Sequence, residues 1–199
     1  MMMISIPSIR RELTSDILGR HIYLFGSGSA PMPVLRRLAE TGAQQGTVVL
    51  AADEDTKLSV AVLFRPHLTQ GAVPLFGMIS TLALGEAIGR VDPGTSPVWP
   101  DLVTVGDETV ARTLIATPAG FDRPSYVILG AEVDVLALGA SVGRSVDLNS
   151  IVAAFLNALD TWAMAYGEHG PAAVRAAVQF LPRGSMPASR AREHALGLG

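Results

Sequence analysis

The sequence predicts an α+β fold, a mixed and mainly antiparallel sheet with helices packed mostly on one side. Three observations lead there. β-Branched and aromatic runs dominate the middle of the chain, helical patterns bracket them, and the connections between successive runs are short. Short connections fit hairpins, whereas parallel strands need crossovers of about a dozen residues or more, so a doubly wound sheet is not expected. A chain of 199 residues is long enough to bury one substantial core. The expected division is a single domain over 1–182 and a C-terminal tail over 183–199, where Arg, Gly, Ser and Pro replace the periodic pattern.

Each element has its own signal. Residues 1–20 are loosely patterned, with a turn or two of helix near Arg10-Arg11-Glu12. His21-Ile22-Tyr23-Leu24-Phe25 reads as a strand that enters the turn Gly26-Ser27-Gly28-Ser29. Val34, Leu35, Leu38 and Ala39 recur at helical spacing, with Pro33 near the start and Gly42 as a stop. Residues 47–51 and 58–64 are strands joined by the polar segment 53–57. A helix from about Ala72 to Arg90 is apolar on most faces, which places it centrally, and Asp92-Pro93-Gly94 stops it. Pro74, Glu86 and several glycines interrupt its apolar run, so a membrane span is not expected. Val98-Trp99-Pro100 leads into a hairpin of 102–105 and 109–117 around Gly106-Asp107. Residues 125–135 form a further strand. Asp147 to Tyr166 is an amphipathic helix with Ile151, Val152, Phe155, Leu156, Leu159, Trp162 and Tyr166 on one stripe. A short helix, Pro171 to Leu181, follows, its proline placed at the N-terminus.

Composition narrows the function classes. A hydrophobic share of 49% with 17% charged residues describes a folded chain and sets disorder aside. A net charge of −3 with scattered arginines leaves no basic footprint for nucleic acid. The absence of cysteine removes disulfides, thiolate metal sites and cysteine nucleophiles, and fits a cytoplasmic protein. His21, His67, His169 and His194 are not spaced as metal ligands, so no metal site is expected. Gly26-Ser27-Gly28-Ser29 lacks the third glycine of a dinucleotide fingerprint. No Gly-x-Ser-x-Gly elbow occurs.

Several motifs, taken in order, resemble the biotin/lipoate protein ligase family. Phe25-Gly26-Ser27-Gly28-Ser29-Ala30, the helix from Leu35 to Ala43 and Gly46-Thr47-Val48-Val49 resemble its opening segment. There a Ser-Thr-Asn turn precedes a helix and a Gly-Thr-Val-Val strand. Leu58 to Pro66 resembles the strand after the family's nucleotide loop. Val98-Trp99-Pro100-Asp101 resembles Lys-Trp-Pro-Asn-Asp, and Leu129-Gly130-Ala131-Glu132-Val133-Asp134 resembles a Gly-Ile-Gly-Val-Asn strand. The match runs from about His21 to Leu181. It implies the fold shared with class II aminoacyl-tRNA synthetases.

The departures bear on activity. The family binds the α-phosphate of its acyl-adenylate with an Arg/Gly-rich loop; here that place holds Asp53-Glu54-Asp55-Thr56. Aspartates beside a polyphosphate repel it by roughly 1 kcal/mol per exposed pair. The family also uses a lysine on the strand after Trp-Pro-Asn-Asp, about ten residues on, to neutralise phosphate charge as it develops. The only lysine here is Lys57, elsewhere in the chain; Thr109 or Glu108 falls at that place. ATP is therefore not an expected cofactor.

The resemblance implies biotin, lipoate or octanoate as ligand, or a carrier protein as partner. The candidate ligand-binding residues are Trp99, Pro100, Asp101, Arg112, Ser27, Arg65 and Lys57, with Arg112 the candidate catalytic residue. Arginine holds carboxylate or phosphate through two parallel hydrogen bonds, so Arg112 is placed to replace the lost lysine. The alternative for Arg112 is an ion pair with a neighbouring carboxylate. Trp99-Pro100-Asp101 is either a cleft wall or only a rigid turn around a buried indole. Lys57 is either a displaced phosphate ligand or a solvated strand start. Three functions stay open: a divergent, non-adenylating relative that keeps the cleft or the docking surface, a working ligase or transferase using Arg112, and a structural or assembly protein in which the cleft has closed and only an interface, such as that of a homodimer, matters. The stripe at Ile151–Tyr166 reads as core packing, with a partner-binding face as the alternative.

Overall fold

The computed structural model describes residues 4–26, 28–53, 56–179 and 181–182. Seven strands form one sheet: β1 (Ile22–Phe25), β2 (Val48–Asp53), β3 (Lys57–Phe64), β4 (Thr95–Val98), β5 (Leu102–Val105), β6 (Glu108–Ala116) and β7 (Val127–Asp134). Their order across the sheet is β1-β2-β3-β7-β6-β5-β4. β1 runs parallel to β2, and the remaining neighbours are antiparallel. The sheet is thus mixed and mainly antiparallel, as the short connections require.

Period-two alternation sorts the side chains onto two faces. Leu58, Val60, Val62 and Phe64 of β3 and Val127, Leu129, Ala131 and Val133 of β7 enter the large core. The helices α1 (Ile6–Glu12), α3 (Val73–Gly89), α5 (Leu148–His169) and α6 (Pro171–Val178) pack there. Ala61, Leu63 and Ile128 point the other way and meet Leu35 and Ala39 of α2 (Pro31–Glu40). α2 packs mainly over β2, β3 and β7 on that face and reaches β6 at Ala116. The far part of the face, toward β6, is left open and carries the clefts described below.

α3 is pinned to the sheet by polar groups as well as by packing. The buried Ser80 hydroxyl donates to Gly130 O at 3.1 Å. The Thr81 hydroxyl donates to Pro100 O at 3.0 Å, which leaves Thr113 as the donor in the 2.8 Å Thr81–Thr113 pair. Gly85 allows close approach, since a Cβ there would lie 3.1–3.2 Å from the Pro97 ring. Residues Gln70–Gly89 are long and apolar enough to cross a membrane by length and composition alone, and 67% of that window is buried within the fold, as the central placement read from the sequence expects. The sheet and α5 supply the apolar surroundings that such a helix needs.

Two elements escape the sequence reading. β4 contains Pro97 and so reads as a loop, but it is the last strand of the sheet, where a missing N–H costs no ladder bond. Trp99-Pro100-Asp101 becomes the connection of a β4–β5 hairpin, with a cis Trp99–Pro100 bond and Val98 paired to Leu102. The other is α4 (Val135–Val142). Its apolar sequence continues that of β7, and its start is set by the Asp134 carboxylate, which accepts the Ala137 N–H at 2.9 Å. Gly143 ends it at φ +66°.

Candidate functional site

The open face holds three charged side chains brought together by strand register. Arg112 of β6 lies opposite Glu132 of β7, and Glu132 lies opposite Ser59 of β3. Lys57, two residues before Ser59, points to the same face. Lys57 Nζ meets Glu132 Oε1 at 2.9 Å. Arg112 meets Oε2 through Nε at 2.7 Å and Nη2 at 2.5 Å. Each carboxylate oxygen therefore has its own cation. The side chain of Glu132 is 20% exposed, while both cations are about half exposed. Burial works to raise the Glu132 carboxyl, but hydrogen bonds and charge from Lys57 and Arg112 outweigh it and hold the group below the usual glutamate value. It is a carboxylate at neutral pH.

Glu132, Lys57 and Thr56 stand between two clefts. One, of about 490 Å³, is lined also by Leu102, Thr109, Arg112 and Asp134. The other, of about 370 Å³, is lined by Ser29, Pro31, Ala51, Asp53 and Ser59. Each falls in the range of about 300–1,000 Å³ that holds a small molecule. β2 and β3 stay paired up to Asp53–Lys57, and Thr56 N–H donates to Asp53 O at 3.0 Å. Three residues, 54–56, lie between the two strands.

The other expected site residues lie apart from this array. Trp99, Pro100 and Asp101 line a separate cleft of about 540 Å³ with Pro74, Met78 and Ile115. Their backbone is held by Thr81, Thr113 and Pro182: Thr113 N–H donates to Asp101 O at 2.7 Å and Trp99 N–H to Pro182 O at 2.9 Å. The physical reason for the separation is the sheet itself. Asp101 pairs with Thr113, which faces α3, whereas Arg112 is one residue earlier and faces away. The Trp99 indole is 44% exposed, so it is a cleft wall and not a buried plug.

Arg65 is not near either site. It follows β3 at the end opposite Lys57 and donates to the carbonyls of Ala39, Ala43 and Ser125. Its guanidinium closes the C-terminal end of α2, where carbonyls lack helical partners. Ser27 lies outside the described residues, as does the tail from Arg183. Among the described residues, no three His, Asp or Glu side chains converge to hold a metal.

Glu132 was not singled out in the sequence, although two signals mark it. It is the only charged residue between Tyr126 and Val133 in a strand buried at nearly every position. In the Gly-Ile-Gly-Val-Asn run that Gly130–Asp134 resembles, it stands at the second glycine. A side chain has been placed on a floor where the motif leaves none.

No protein-family profile matches the sequence, and comparison with curated proteins finds no match. Solved structures do match. A biotin protein ligase-like protein of unknown function from Silicibacter sp. TM1040 superposes with a TM-score of 0.73 at 17% identity, over 82% of this chain and 78% of that one. Biotin protein ligase from Aquifex aeolicus gives 0.64 at 16% identity, over 80% and 75%. Biotin protein ligase from Leishmania major, in complex with biotin, gives 0.64 at 16% identity, over 84% and 83%.

Proposed function

The chain has a biotin protein ligase-like fold, and from that premise we propose a divergent, non-adenylating relative that holds a small carboxylic acid of the biotin, lipoate or octanoate class in the open-face clefts. The same face would receive a carrier protein. The observation that carries this reading is the β2–β3 connection of three residues, closed by Asp53 and Thr56. A triphosphate needs several free donors and cations around it. Here the two nearby cations are both engaged by Glu132, and Asp53 and Asp134 line the same clefts. A single carboxylate makes a smaller demand, since one cation and a few donors suffice.

A second reading has one observation in its favour. Arg112 lines the cleft from β6, three residues beyond Thr109, where the family's lysine would fall, and so supplies a cation near that place. In that reading the protein is a working ligase or transferase.

Thermal unfolding with biotin, lipoate, octanoate, ATP and the acyl-adenylates separates the two. A ligand at 100 times its dissociation constant stabilises by about 2.7 kcal/mol, a rise in Tm of roughly 5–10 °C for a chain of this size. The expected result is a rise with at least one free acid and none with ATP. A rise with an adenylate that disappears in Arg112→Ala, together with acid-dependent pyrophosphate release, would establish the second reading instead. No rise with any compound would leave a structural role.

A further inference from the structure

Thr56, Lys57 and Glu132 line both clefts, and Glu132, a carboxylate, is the one of the three that holds both cations. Glu132 occupies both cations in the way an incoming acid would: one oxygen on Lys57, the other on Arg112. It reaches them from a strand residue with a side chain of only two methylenes, and it projects from the floor between the clefts. Both cations are about half exposed, so a ligand can reach them from solvent, whereas Glu132 is largely covered. Neither cation has a second carboxylate partner among the described ion pairs.

We infer that Glu132 is an internal stand-in for the ligand's carboxylate, so that a monocarboxylic acid binds by exchanging with it on Lys57 and Arg112. This rests on the acid-binding reading above. When Glu132 swings off the cations, its part of the wall between the clefts goes with it, and Thr56 and Lys57 remain at the margin. The combined space takes a longer apolar body than either cleft alone. The residue then sets selectivity in two ways. It disfavours ligands with no anionic group, which gain nothing by displacing it. It also weakens every acid by the strength of its own hold on the pair.

The test is calorimetric titration of octanoate and of octanamide into the wild-type protein, Glu132→Gln and Glu132→Gly. The glycine variant restores the residue of the motif and serves if glutamine perturbs folding. Asp107→Asn, which removes the same charge at the β5–β6 turn, measures the general effect of a less negative protein. Exchange predicts octanoate binding at least about 10-fold tighter in both Glu132 variants, less than about 3-fold tighter in Asp107→Asn, and octanamide unchanged by the Gln substitution. Binding seen only in the Glu132 variants is also a positive result, since the wild-type site is then closed by its own carboxylate. Wild-type binding of octanoate that the Glu132 variants leave equal or weaken overturns the exchange and leaves the acid-binding reading intact. An absence of octanoate binding in all the proteins overturns the exchange, and the acid-binding reading falls with it if biotin and lipoate also fail to bind the wild type.

Discussion

Arg65→Ala tests whether this arginine belongs to the ligand site or to the scaffold. The guanidinium donates to Ala39 O and Ala43 O at 2.9 Å through Nη2, to Ala43 O at 3.2 Å through Nε, and to Ser125 O at 3.3 Å through Nη1. Hydrogen bonds from a charged donor contribute about 1.5–3 kcal/mol when well made, and a cation at a helix C-terminus adds about 0.3–1 kcal/mol. The bonds beyond 3.1 Å are weak and the site is partly wet, so the sum is discounted to about 2 kcal/mol. For a chain of about 200 residues that is a fall in Tm of roughly 4–8 °C. Arg65→Lys should recover about half, because an ammonium reaches fewer carbonyls than a planar fork. Urea denaturation and thermal unfolding measure the loss, and titration of whichever acid binds the wild type measures the site. The scaffold role predicts lower stability with affinity changed less than about 2-fold. Stability unchanged with affinity lost would refute it and return Arg65 to the rim of the ligand cleft.

The remaining predictions concern the core and the charged array. Gly46→Ala should destabilise by at least about 3 kcal/mol, read by urea denaturation; φ is +83° and the added Cβ would lie 2.2 Å from Ile17 O, a backbone atom with little freedom to move. Thr81→Val should cost about 1–3 kcal/mol by leaving Pro100 O and the Thr113 hydroxyl without their partner. Adding Thr113→Val should cost less than the sum of the two single changes, in a double-mutant cycle. Glu132 is held below its ordinary value in the fold, so its charged form stabilises the native state. That contribution is complete above the unfolded glutamate value near 4.5 and is lost as pH falls through the lower folded value. The stability difference between wild type and Glu132→Gln should be constant from pH 7 to about 5.5 and shrink below pH 4.5. A difference that grows on acidification would show that the array does not favour the carboxylate.

How much was legible in advance depended on the range of the interaction. Strand β3 could be read from Leu58 to Phe64 because β-branched residues and the closing Arg65-Pro66 are local signals. The short link between β2 and β3 was equally plain, since the polar run from Asp53 to Lys57 separates two β-branched, apolar runs. α5 followed from its stripe, and Asp147 caps it by accepting the Asn149 N–H at 3.0 Å. β4 and α4 were hidden for different reasons. Pro97 is a poor strand residue unless its strand lies at an edge, and position in a sheet is not a local property. Val135 to Val142 is as apolar as a strand, and the Asp134 cap at its start and Gly143 at its end mark it as helix.

The sequence by itself determined the class of fold, the short acidic β2–β3 connection and the presence of a single lysine at position 57, because these are matters of residue type and spacing. Tertiary structure alone decided which charged groups meet. Lys57 and Arg112 lie 55 positions apart, and the register of β3, β7 and β6 sets both against Glu132. The same register sends Asp101 and Arg112 to different clefts, although Asp101 immediately precedes β5 and Arg112 lies on the adjoining β6. A shift of one residue reverses the face of every side chain on a strand. The pairing of distant strands, which no local pattern encodes, is what makes Glu132 the centre of the candidate site.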